Sequence, residues 1–96
     1  MRFNLLITPE AQIALDQLAT ADRGKHLKVL KTLGLMQTNL RHPRLHAHEY
    51  VSLKGPNGEK VFEAYLENKT PAAYRVFWYY GPVQGSITVL AVTPHP

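Results

Sequence analysis

Ninety-six residues with eleven lysines and arginines against seven aspartates and glutamates carry a formal charge of +4 and contain no cysteine. A chain of this length supports one hydrophobic core and excludes two. The lack of cysteine excludes disulfides and thiolate metal sites. No run approaches the ~18 apolar residues of a membrane span. With no basic, apolar and small-residue order at its start, the chain is expected to be soluble and cytoplasmic, with no membrane partner.

Arg2 to Ile7 alternates, with Phe3, Leu5 and Ile7 on one side, which predicts a first strand. Thr8-Pro9-Glu10 then offers an N-cap, a proline at the first helical position and an early acid. A helix follows to about Ala19, its apolar stripe made by Ile13, Leu15 and Leu18 with Ala11 and Ala14. Asp22 is the next N-cap, and a second helix runs to near Asn39 with Leu27, Leu30, Val29, Leu33 and Met36 in helical period. Two helices joined by so short a linker form a hairpin. From Arg23 to Lys54 the chain carries seven lysines and arginines against one acid, Glu49, with His26, His42, His46 and His48 among them. Such a basic flank suits nucleic acid, an acidic protein partner or plain solvation.

Arg41 to His48 is a connection and Glu49 to Leu53 a strand; Gly55-Pro56-Asn57-Gly58 is a turn leading into a strand from Lys60 to Glu67. The stretch Ala73 to Gly81 holds Tyr74, Phe77, Trp78, Tyr79 and Tyr80 and is apolar on both faces, so it should be the central strand. Pro82 to Gly85 turns the chain into a last strand, Ser86 to Thr93. Short connections between these four strands require antiparallel pairing. The expected fold is α+β: an N-terminal strand, a helical hairpin, then antiparallel strands forming one twisted sheet in a single domain, 1–96, with the helices on one face.

Alternation along the strands sorts the side chains. Phe62, Ala64, Leu66, Tyr74, Val76, Trp78, Leu90 and Val92 form the face the helices cover. Glu63, Tyr65, Glu67, Arg75, Ala91 and Thr93, continuing toward His95, form the other. An arginine in the middle of a sheet must meet a carboxylate, a ligand or water, since an unpaired buried guanidinium costs on the order of 3–5 kcal/mol. Arg75 with Glu63, Tyr65, Glu67 and His95 is a set able to bind or cleave a phosphodiester. The residue types also read as a cross-strand ion pair between Arg75 and Glu63 or Glu67, with His95 in a frayed tail. Tyr79 is a candidate for stacking bases on the open face. His46 and His48 flank Ala47, but no second ligand pair follows, and no metal or cofactor is expected.

In the order of its elements the chain resembles the RelE/ParE superfamily of toxin–antitoxin toxins. The shared features are the segment His42-Pro43-Arg44-Leu45-His46, the strand Tyr74-Arg75-Val76, and the end Thr93-Pro94-His95-Pro96. The resemblance implies a ribosome-dependent mRNA endonuclease (mRNA interferase) that inhibits translation and is silenced by a cognate antitoxin. Arg75 would hold the scissile phosphate and His95 would protonate the leaving oxygen. Where RelE-type enzymes carry strand lysines this chain has Glu63 and Tyr65, so Glu63 is taken as base. Lys54 and Lys60 would supply charge, and Arg44, His46, Tyr65 and Tyr79 would complete RNA binding. A ParE-like gyrase inhibitor and a non-catalytic binding module on the same scaffold are the alternatives.

Overall fold

The computed structural model describes residues 2–66 and 73–94. Its elements are β1 (Asn4–Ile7), α1 (Pro9–Ala21), α2 (Arg23–Thr38), a 3₁₀ turn (Pro43–Leu45), β2 (His48–Lys54), β3 (Lys60–Tyr65), β4 (Tyr74–Tyr80) and β5 (Ser86–Pro94). Both helix starts have the expected chemistry. Asp22 closes one helix and opens the next: its N–H donates to the Leu18 carbonyl at 2.8 Å, and its carboxylate accepts from the Lys25 N–H at 3.0 Å. One residue serving as both caps leaves no room for a flexible linker and holds the two helices as a hairpin.

The strands lie in the order β1-β5-β4-β3-β2, which places β4 at the centre. The last four pair antiparallel, as expected, while β1 runs parallel to β5. The sheet is therefore mixed rather than wholly antiparallel. The entire helical layer and three strands separate β1 from β5, so no tight turn dictates their relative direction.

The core lies between the helices and one face of the sheet. Ala11, Leu15 and Leu18 of α1 and Val29, Leu33 and Met36 of α2 pack on Ala64, Val76, Trp78, Ile87, Val89 and Val92. Ile13, Leu27 and Leu30, counted in the apolar stripes by sequence, are exposed. At about 100° per residue they fall away from the 11–15–18 and 29–33–36 lines, so only one stripe per helix can reach the sheet. On β5 the register passes from Phe77↔Ala91 to Trp78↔Val89, leaving Leu90 without a partner across the strand. Val89 thus takes the core position expected for Leu90.

The bulge is tied to the start of α1. The Thr8 hydroxyl accepts from the Ala11 N–H at 3.2 Å and donates to the Leu90 carbonyl at 3.2 Å. Replacing Thr8 by valine keeps the shape and removes both bonds, so the urea midpoint should fall by the equivalent of about 1–2 kcal/mol with an unchanged m-value. A midpoint equal to the wild type would mean that water satisfies both groups.

Candidate functional site

The sheet face away from the helices is where Arg75 lies, and it is closed. Register places Tyr65 opposite Arg75 and Glu63 opposite Phe77, making Glu63 and Arg75 diagonal neighbours on that face. Arg75 Nη1 donates to Glu63 Oε2. Glu63 Oε1 in turn meets His48 Nε2 at 2.6 Å. The other ring nitrogen of His48 lies 2.8 Å from the His46 carbonyl oxygen, so the imidazole is held at both nitrogens. The guanidinium carbon sits 5.8 Å from the centre of the Tyr65 ring and 5.7 Å from that of Phe77. Tyr50, from the edge strand, packs edge-on against Phe77 at 5.0 Å.

Burial decides what each group can do. Glu63 is 1% exposed and Arg75 5%, whereas the His48 side chain is 47% exposed at the rim. A carboxylate with one oxygen on a guanidinium and the other on an imidazole is not free to take a proton from an outside hydroxyl. In this arrangement Glu63 holds two basic side chains in place. Arg75 Nε is buried and has no hydrogen-bond partner among the described residues. Arg75 and Glu63 thus form the cross-strand ion pair that the residue types allowed.

Other expected site residues are scattered. Lys54 and Lys60 face each other beside the β2–β3 turn. Lys60 is three residues along β3 from Glu63, roughly 10 Å, and alternation puts its side chain on the other face of the strand, away from the network. Tyr79 is 6% exposed and pairs with Thr88 inside the sheet; its ring is packed, not available for stacking. His95 and Glu67 lie outside the described residues. Among the described residues no three His, Cys, Asp or Glu side chains gather as a metal site.

Arg44, His46 and Tyr65 do come together. They line a cleft of about 850 Å³ between α2 and the 3₁₀ turn, with Lys28 and Lys31 on the helix wall. The turn is pinned by Leu45, which is buried in the core, and is opened by His42, whose Nδ1 accepts from the Arg44 N–H at 3.1 Å. His46 closes it in the left-handed region, φ 48°, a conformation rare for a residue with a side chain. That bend lets its carbonyl meet His48 while its ring stays 6.5 Å from Tyr65.

Two sets of residues escaped sequence reasoning. Lys28 and Lys31 were visible as part of a basic helix face, but not as a wall of anything. His48 was hidden by a register change. Counting back from the Lys54↔Lys60 pair puts Val51 opposite Glu63, yet His48 is there, because five steps along β2 match only two along β3 between Glu49 and Lys54.

No protein-family model matches the chain, and no curated protein matches it in sequence. Solved structures do match. An archaeal RelE in its RelE–RelB complex from Pyrococcus horikoshii OT3 superposes with a TM-score of 0.70 at 17% identity, over 98% of this chain and 96% of that one. The YoeB dimer from Staphylococcus aureus gives 0.69 at 13% identity, over the full length of both chains. A YoeB/ParE toxin from Agrobacterium tumefaciens gives 0.72 at 11% identity, over 98% of this chain and all of that one. At these identities the likeness is one of fold: the described residues have the architecture of the RelE and YoeB toxins.

Proposed function

We propose that this chain, whose fold is that of RelE and YoeB toxins, is the toxin of a type II toxin–antitoxin system. In this reading it cuts mRNA on the ribosome in the cytoplasm and is silenced by a cognate antitoxin protein. The observation that supports the reading is the grouping of Arg75, Glu63, Tyr65 and His48 on the helix-free face of the sheet. That grouping lies beside a cleft lined by Lys28, Lys31 and Arg44.

The chemistry balances without a cofactor. The ribose 2′-oxygen attacks the adjacent phosphorus, the bond to the 5′-oxygen breaks, and the products are a 2′,3′-cyclic phosphate and a 5′-hydroxyl. Arg75 offsets the charge that builds on the phosphoryl oxygens. His95 protonates the departing oxygen. Glu63 accepts the 2′-hydroxyl proton only after His48 lets go of Oε1, so opening of the half-exposed His48 rim precedes the reaction. Purified protein added to a cell-free translation system, with mapping of RNA ends on ribosome-bound message, tests the proposal. New 5′-hydroxyl and cyclic-phosphate ends support it, and intact message with undiminished translation overturns it.

A second reading is favoured by one observation, the near-complete burial of Arg75 and Glu63. On that reading the ion pair is structural and the chain is a binding module on the toxin scaffold. Message would then stay intact even where the protein binds its partner. DNA damage without translation arrest would instead favour the ParE-like action on gyrase.

A further inference from the structure

The ring of His48 stands between two oxygens: Nε2 lies 2.6 Å from Glu63 Oε1, and Nδ1 lies 2.8 Å from the His46 carbonyl oxygen. A carbonyl oxygen only accepts, and so does a carboxylate that already takes a hydrogen bond from the Arg75 guanidinium on Oε2. A neutral imidazole has one N–H, so it serves one of these oxygens and sets its lone pair against the other at bonding distance. The imidazolium has two N–H groups and serves both. Among the described residues, the groups that face the ring come from three elements. From β3 the Glu63 carboxylate touches it, and the Tyr65 ring lies 5.7 Å away, centre to centre. From β4 Arg75 acts against a second positive charge, but it is bonded to the other carboxylate oxygen, whereas the anion meets the ring directly, and the nearer charge prevails. From the turn comes the His46 carbonyl, with the His46 ring 6.5 Å from Tyr65. On β2 itself, alternation turns the adjacent Glu49 to the opposite face.

We infer that His48 is a proton-operated latch over the Arg75–Glu63 pair. With two ring protons it clamps the Glu63 carboxylate of β3 to the carbonyl of His46, the residue that closes the turn at φ 48°. When the ring gives up one proton, one clamp opens, and a side chain that is 47% exposed swings toward solvent. Glu63 Oε1 then becomes reachable from outside. The latch itself depends only on these contacts. That its opening readies Glu63 to act as a base rests on the nuclease reading, in which His48 has to leave Oε1 first.

The test compares urea unfolding of the wild type, His48→Gln and His26→Gln between about pH 6 and 8, the interval in which imidazole ordinarily loses its proton. Glutamine keeps a donor for Glu63 but does not titrate. A proton held by the folded form alone changes the folding constant by up to about tenfold per pH unit, an advantage present in acid and lost as the pH rises. The ratio of the wild-type folding constant to that of His48→Gln should therefore fall by about 10-fold across the interval. The same ratio taken against His26→Gln, which removes a ring on α2, should stay constant. In the folded wild type, the carbon-13 signals of the Glu63 carboxyl and the His46 carbonyl should move together with the loss of the His48 ring proton. A ratio for His48→Gln that does not change with pH overturns the inference. So does an equal fall in both ratios, and so do carboxyl and carbonyl signals that ignore the ring. Proton linkage at His48 in a protein that cuts no message upholds the latch and sinks the nuclease reading. Message cleavage by a protein whose ratio stays flat does the reverse.

Discussion

Glu63→Leu should destabilise the fold by about 3–5 kcal/mol, because it leaves a guanidinium inside the protein with no carboxylate to meet it. A domain of this size has a total stability of about 5–15 kcal/mol, and the melting temperature should drop by at least about 12 °C. The penalty belongs to the stranded charge more than to the missing contact. Adding Arg75→Met to Glu63→Leu removes that charge, fills similar volume, and should recover most of the loss. Urea unfolding of the two variants checks both halves.

The result also bears on function. A loss below about 1 kcal/mol for Glu63→Leu would mean that the freed guanidinium reaches water unaided. An arginine able to swing out in that way could equally reach a phosphate, which the closed network does not permit. A full-sized loss, rescued by methionine, marks Arg75 as an enclosed charge that needs its carboxylate and does not reach water by itself. The nuclease reading then needs His48 and Tyr65 to move before Arg75 meets RNA.

His95→Gln should lower mRNA cleavage on ribosomes by about 10²–10⁴-fold while leaving the melting temperature unchanged. Glutamine keeps a polar side chain of similar size and removes the ability to pass a proton at neutral pH. If proton donation to the 5′-oxygen is what His95 contributes, the chemical step slows and RNA affinity does not. Single-turnover cleavage on programmed ribosomes, set beside RNA anisotropy for the same variant, separates the two quantities. Wild-type cleavage by this variant would remove His95 from the mechanism. A parallel loss of binding and cleavage would give it a role in holding RNA rather than in chemistry.

The residues that carry local chemistry were legible without coordinates. Thr8 and Asp22 cap helices because a hydroxyl and a carboxylate satisfy N–H groups one turn away, an interaction contained in four residues of chain. The Gly55–Gly58 turn was legible for the same reason: Gly58 adopts φ 83°, where a residue without a side chain is at ease. The aromatic run of β4 announced a central strand by its density, and alternation put Arg75 on the helix-free face. Long-range pairing was not legible. Two irregularities, one on β5 at Leu90 and one on β2 before Lys54, each shift a register that parity alone extends unchanged. The first moved Val89 into the core, and the second brought His48 instead of Val51 to Glu63.

By itself, then, the amino-acid order determined the helices and strands, the order in which they follow, and which side of the central strand its cation occupies, since each depends on neighbours a few bonds apart. Tertiary structure alone decided that this cation is enclosed, that an edge-strand imidazole shares its carboxylate, and that lysines of α2 face Arg44 across a cleft. Those facts depend on how far a sheet curls and where a strand gains residues, quantities set by packing between segments that are distant along the chain.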